Sequence, residues 1–175
     1  MARRAERFTG AGLWALRGAG ALALAMINVI IAEGLYDRAF VEKWTHGFAQ
    51  LSEHVRSFTP EWAEPITGVP AGLIREAARL YAGSGASLCV HGLGMTEHRW
   101  GSHGVMALVD LALATGHIGR PGTGINPLRG QNNVQGASDV GCLPTFFAGY
   151  QALDDPALGA LHREVTGRPL PTRRG

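Results

Sequence analysis

The chain has 175 residues, 46% hydrophobic and 17% charged, with a formal charge of +2 at pH 7. That is chain enough for one globular domain with a core of its own. The charge is too small for nucleic-acid binding, and the arginines are split between the first residues (Arg3, Arg4, Arg7) and the tail (Arg168, Arg173, Arg174), so no basic stripe forms.

Cys89 and Cys142 stand alone, without a CxxC or a Cys/His cluster. This excludes a zinc ribbon or an iron–sulfur site built from this sequence, predicts no metal ligands within it, and suits a reducing, cytoplasmic setting. Glycine, at 25 of 175 residues, is about twice its average usage and is concentrated toward residues 116–136. It reads as a local requirement and not as disorder.

In chain order, Arg3 and Arg4 precede the apolar run ALALAMINVIIA (Ala21–Ala32), which has the outline of a signal-peptide h-region. The run is too short to span a bilayer, which takes roughly 20 residues, and Asn28 and Glu33 break it. The expectation is a buried helix over Ala21–Gly34, closed by Gly34 in a left-handed turn, and no membrane span. Asp37 is placed to cap a helix over Arg38–Thr45. Phe48, Leu51, Val55 and Phe58 recur at near-helical spacing and predict an amphipathic segment. Pro70 suits the first turn of the next helix, where its missing N–H is harmless. Leu73, Ile74, Ala77, Leu80 and Tyr81 form that helix's predicted inward stripe.

The character changes at Gly83. ASLCVHG (Ala86–Gly92) is a short apolar run bounded by glycines, as expected of a buried parallel strand. A glycine-rich loop, GLGMTEHRWGSHG, follows, with His98 and His103 expected on its surface. Val105–Gly116 then reads as a helix apolar nearly all round, closed by Gly116. Strand, loop and helix make an α/β unit, in which ligands gather at the carboxyl ends of strands. Alone, the Gly92-x-Gly94 pair reads as a plain tight turn rather than a ligand loop.

Next comes RPGTGINPLRGQNNVQG (Arg120–Gly136). From Pro121 through Ser138 the only charged residue is Arg129, surrounded by Asn126, Gln131, Asn132, Asn133 and Gln135, with glycines at 122, 124, 130 and 136. Side-chain amides both donate and accept, so they can read heterocycle edges such as those of a pterin or guanine. A single guanidinium is a planar fork for a carboxylate or another oxyanion. The alternative is that Arg129 pairs with Asp139 while the asparagines make Asx turns.

The segment TGHIGRPGTGINPLRGQNNVQGASDVGCLP (Thr115–Pro144) resembles the signature of molybdopterin-dependent formate dehydrogenases, catalytic subunit. GLGMTEHRWGSHGVMALVDLALATG (Gly92–Gly116) is similar to the loop and helix before it, and the resemblance runs from about Leu13 to Gln151. It implies an α/β, Rossmann-like part of the molybdopterin oxidoreductase fold, incomplete by itself. The first half, residues 1–82, is helix-rich. Residues 83–152 carry strand, loop, helix and RGQNNVQG segment, and 153–175 are a tail. Arg129 falls on the family's active-site arginine and Gln131 on its neighbouring glutamine. Gly92, Gly94, Thr96 and Glu97 fall on the loop that approaches one pterin dinucleotide, with Asn132 and Asn133 as further cofactor contacts; Glu97 stands where many relatives place glutamine. The implied cofactor is molybdenum or tungsten held by two pyranopterin guanine dinucleotides. The metal's Cys or Sec ligand and a [4Fe–4S] cluster belong to segments upstream of this region in the family. Formate, the missing segments of the enzyme and electron-transfer subunits are the implied partners. A fragment inactive alone is the expectation. The alternatives are another reaction of the superfamily and a non-catalytic remnant of the fold.

Overall fold

The apolar run of the sequence lies in the hydrophobic core of the larger unit. In the computed structural model, which describes residues 18–97 and 99–170, helix α1 covers residues 18–32. Features expected at Arg3, Arg4, Arg7, His98, Arg173 and Arg174 lie outside the described residues. The chain divides into two compact units, Met1–Leu128 and Arg129–Gly175. The architecture is mixed α/β, mostly helical, with a small parallel sheet. No helix among the described residues is long and apolar enough to cross a membrane.

In the first unit, α1 is wrapped by α2 (Arg38–Trp44), α3 (Phe48–His54), a 3-10 turn (Val55–Ser57), α4 (Pro60–Thr67), α5 (Ala71–Gly83) and α7 (Gly101–Ala114). Ala25, Ile27 and Ile30 of α1 are fully buried and pack in one cluster with Val55, Ala63, Ile74 and Leu111. Fully burying an isoleucine such as Ile27 or Ile30 contributes about 1.5–3 kcal/mol. Asn28, the polar break in the run, has a use: its Nδ2 donates to the carbonyls of Val55 at 2.9 Å and Arg56 at 3.4 Å, tying the 3-10 turn to α1. At the end of α1, Gly34 adopts φ +67°, with Leu35 N bonded to Ile30 O and Gly34 N to Ile31 O. This is the paired 6→1 and 5→2 closure of a left-handed helix end.

Asp37 caps α2 as expected, its Oδ1 accepting from Phe40 N at 3.0 Å. Its own N–H donates to Ala114 O at 2.9 Å, so the start of α2 meets the end of α7. Pro70 stands one position earlier than expected, as the N-cap of α5 rather than in its first turn. Proline has no side-chain acceptor, and Glu64 of α4 supplies one instead, Oε2 accepting from Ala71 N at 2.9 Å. The Glu33 carboxylate, just beyond α1, takes both Nε and Nη2 of Arg79 at 2.8 and 2.7 Å, and this holds it below the usual carboxylate range.

Two expectations about burial are corrected. The inward residues of α5 are Ala71, Ile74 and Ala78, with Tyr81 half-buried; Ala77 is exposed, and Leu73 is 54% and Leu80 74% exposed. The stripe is rotated because the core of α1 and α4 meets small residues there, and the leucines lie on the adjacent face. Strand β1 (Leu88–His91) is parallel, as expected, but not buried on both faces: Leu88 is 48% and Val90 52% exposed. Its partner is β2 (Gly124–Pro127), with Cys89 opposite Ile125 and His91 opposite Pro127. A two-stranded sheet covered on one side leaves the alternate residues of β1 open.

The stretch read as a loop from Gly92 to Gly104 is mostly helical. It forms one turn, α6 (Leu93–Thr96), and then the first turn of α7, which begins at Gly101 and includes His103. The second unit holds α8 (Val134–Asp139), an antiparallel pair β3 (Phe146–Phe147) and β4 (Gln151–Ala152), and α9 (Pro156–Thr166), capped by Asp155 through Ala157 N at 2.9 Å.

Candidate functional site

The candidate residues of the first unit lie where β1 gives way to α6. Gly92 is the N-cap of α6, and a Cβ built on it meets nothing within 4 Å, so its backbone faces open space. Gly94 lies within α6. Thr96 is its last residue, with a long Oγ1 bond of 3.4 Å to Leu93 O, and Glu97 is its exposed C-cap. The strand register delivers this turn. Leu128 N donates to His91 O at 2.7 Å, so β1 and β2 end together just before Gly92. The open backbone and exposed polar side chains at a strand's carboxyl end suit a ligand with hydrogen-bonding edges.

Sequence reasoning missed two histidines in this unit. The ring of His91 carries the buried side-chain nitrogen Nδ1, which has no hydrogen-bond partner among the described residues. His117 is 1% exposed and fully engaged: its Nε2 meets Tyr81 O at 2.9 Å, and Arg120 Nη2 donates to its Nδ1 at 3.3 Å. Arg120 Nε also reaches Gly116 O at 3.2 Å, so this cluster pins the segment leading into β2. Only burial distinguishes these two roles, and the sequence carries no local sign of it.

In the second unit, Arg129, Gln131 and Asn132 are exposed, and among the described residues their side chains make no hydrogen bond or ion pair. Asn133 is different. It takes φ +45° as the N-cap of α8, and its Oδ1 accepts from Gly136 N at 3.3 Å. A Cβ at Gly136 would meet the Asn133 side chain, so a larger residue there would push that cap aside. Asn133 has its oxygen partly committed in this way, while its Nδ2 makes no hydrogen bond among the described residues. Asp139 does not pair with Arg129. Its carboxylate lies beside Tyr150 and raises that phenol above its ordinary value.

Among the described residues, no group of three or more His, Cys, Asp or Glu is placed to hold a metal ion. In the first unit, open glycine backbone beside exposed Thr96 and Glu97 suits a polar heterocyclic group; in the second, free amides beside an unpaired guanidinium suit a polar or anionic ligand.

The comparison with protein families decides the lineage: the molybdopterin oxidoreductase model matches residues 16–166. The chain belongs to this family. As a molybdopterin oxidoreductase segment it is 50% identical over 137 residues to formate dehydrogenase H of Escherichia coli, covering 78% of this chain and 19% of that protein. It is 49% identical over 135 residues to the F420-dependent formate dehydrogenase subunit alpha of Methanocaldococcus jannaschii, covering 77% of this chain and 20% of that one. Among solved structures, the acetylene hydratase of Pelobacter acetylenicus matches with a TM-score of 0.58 and 33% identity, over 61% of this chain and 15% of that chain. The chain thus spans about a fifth of the length of the curated relatives it matches.

A larger cavity of about 490 Å3 lies apart from these residues, between α1, α3, α4 and α7, lined by His54, Trp62, Met106 and Asp110. Burial pushes the Asp110 carboxyl up, and the charge of His54 partly opposes this. The folded chain therefore holds that proton to higher pH than the unfolded chain does. The resulting penalty is absent below the unfolded pKa near 4 and grows as pH rises through the folded value. Asp110→Asn is expected to melt higher than the parent at pH 7, with the gap closing as pH falls toward 4. Thermal melts across that range check it.

Proposed function

We propose that the chain is the substrate-facing part of a formate dehydrogenase-type molybdopterin oxidoreductase, acting in the oxidation of formate to carbon dioxide. The carrying observation is Arg129. It is the only charged residue from Pro121 through Ser138, and its guanidinium is exposed and unpaired among the described residues, while Asp139, the nearest acid in sequence, lies beside Tyr150 instead. The identity of about half to two formate dehydrogenase subunits supports the substrate.

The cofactor, molybdenum or tungsten with two pyranopterin guanine dinucleotides, supplies the two-electron acceptor when bound. In the first unit, Gly92, Gly94, Thr96 and Glu97 are the residues that would contact it; in the second, the candidate contacts are Asn132 and the Nδ2 of Asn133. Arg129 presents two parallel N–H donors to the two oxygens of formate. Bidentate binding leaves the C–H bond as the one feature of the ion pointing away from the guanidinium. Fixing that direction turns a diffusing anion into an oriented reactant, which is where the rate gain arises. Gln131 adds a neutral donor beside the clamp. A second reading, another reaction of the same family on a different small substrate, is favoured by the likeness to acetylene hydratase at lower identity.

A chimera tests the proposal: residues 16–166 replace the matching segment of the E. coli formate dehydrogenase H. With molybdenum content equal to the parent enzyme, it is expected to reduce a dye acceptor on formate. Full metal loading without formate turnover would overturn the reading.

A further inference from the structure

We propose that the cavity between α1, α3, α4 and α7 binds an organic cation, a protonated amine on a compact apolar body, with Asp110 as its counter-charge. The inference concerns the first unit alone and does not depend on the formate reading. Asp110 is the one charged residue of α7, and every other residue of that helix after His103 is glycine or apolar. Its carboxylate is partly buried, and among the described residues it has no hydrogen bond and no ion pair. Only the charge of His54 acts on it, and more weakly than burial does. A carboxylate withdrawn from water without a partner is costly, and asparagine would occupy the same place without the charge. The charge therefore marks a cation that the described residues do not supply.

The lining indicates what kind of cation fits. The volume of about 490 Å3 falls within the roughly 300–1,000 Å3 of small-molecule pockets. Leu24, Leu51 and Met106 make apolar walls beside Trp62. An indole face attracts a desolvated cation. Trp62 keeps exposed ring surface, and Phe58, which is not on the lining, braces it with ring centroids 4.7 Å apart. Trp100, also on the lining, already lies under the Arg99 guanidinium at 5.2 Å, so one such pairing stands within the protein itself. His54 and His103 are the other titratable groups of the lining, and with Asp110 they are not placed to hold a metal ion. A bare inorganic cation would also leave the apolar walls without a partner. Apolar walls around one fixed carboxylate suit a ligand with a small charged head and an apolar body, and they disfavour anions.

The test uses the chain itself, with 2-phenylethylammonium as the probe, 2-phenylethanol as its neutral counterpart and 3-phenylpropionate as an anion of similar size. Calorimetry gives the affinities, and the indole N–H NMR signal of Trp62 reports the place. The ammonium is expected to shift that signal and to bind at least about tenfold more tightly than the alcohol, the gain of a hydrogen bond to a charged group. The carboxylate should not bind. Asp110→Asn, expected above to melt higher than the parent at pH 7, should bind the ammonium no more tightly than the alcohol, so that unfolding does not account for the loss. Asp110→Ser gives the same comparison should the amide disturb the packing. Trp62→Leu should weaken the ammonium more than the alcohol. Equal affinities for ammonium and alcohol in the parent, or ammonium affinity unchanged in both Asp110 variants, overturns the assignment, as does failure of the ammonium to bind. Binding to the chain but not to the metal-loaded chimera would give the cavity to another segment of the longer protein, and that too overturns the small-molecule site.

Discussion

Gly101→Ala is expected to be the most damaging single methyl in the first unit. An alanine Cβ there would lie 2.1 Å from Thr96 O and 2.7 Å from Thr96 C, and both obstacles are backbone. Overpacking against side chains that can yield costs about 1–3 kcal/mol. Here α6 or the start of α7 must move as a body, so about 3 kcal/mol or more is expected, a large share of a typical stability of about 5–15 kcal/mol. Two further alanines calibrate the effect. At Gly104 the nearest atom is Met95 Sδ at 3.0 Å, the end of a flexible side chain, and the loss should be smaller. At Gly72, in α5, nothing lies within 4 Å, and alanine should gain roughly 0.4–1 kcal/mol by restricting the unfolded chain. Urea unfolding of the three variants should give the order 72 above parent, then 104, then 101. Equal effects at 101 and 72 would show that α6 does not press on α7.

The contrast between these glycines also marks how far the sequence could be read. Signals that act within a few residues were legible: the apolar run of α1 with Gly34 closing it, the Asp37 cap, the parallel strand at 88–91, and the left-handed Gly116 that ends α7 at φ +65°. What depends on a distant partner was not. Gly101 and Gly104 look like loop residues until Met95 and Thr96 are packed against them. β2 has only Ile125 as a strand former, and Pro127 argues against a strand until its edge position beside His91 is known. The face of α5 was misjudged because Leu73 and Leu80 are more hydrophobic than the alanines that α1 requires. At the site, Arg129 stood out by composition alone, since a lone charge among amides needs no tertiary knowledge. Asn133 looked like one more amide until its Oδ1 was found capping α8, and His91 looked like a strand terminus until its burial was seen.

Arg129→Lys, made in the metal-loaded chimera, is expected to lower kcat/KM for formate by on the order of 10²-fold, the loss typical when positioning fails. The substitution keeps the positive charge, so attraction of the anion survives. What disappears is the planar fork: an ammonium is a point charge that cannot hold two oxygens in a fixed plane, and the C–H bond is left free to swing. A hundredfold is about 2.7 kcal/mol, more than a neutral hydrogen bond contributes. Gln131→Ala, which removes such a bond, should therefore cost only about 1 kcal/mol. Asp139→Asn separates the clamp from the ion-pair alternative. Because Asp139 faces Tyr150 and not Arg129, this variant should keep formate kinetics near the parent while the Tyr150 phenol titrates closer to its ordinary value. If Asp139 were the true partner of Arg129, Asp139→Asn and Arg129→Lys would destabilise the fold alike and leave the turnover of metal-loaded enzyme intact. Steady-state formate kinetics at matched metal content, beside an ultraviolet titration of the phenol, distinguish the two arrangements. Near-parent kcat/KM in Arg129→Lys would remove the clamp from the mechanism.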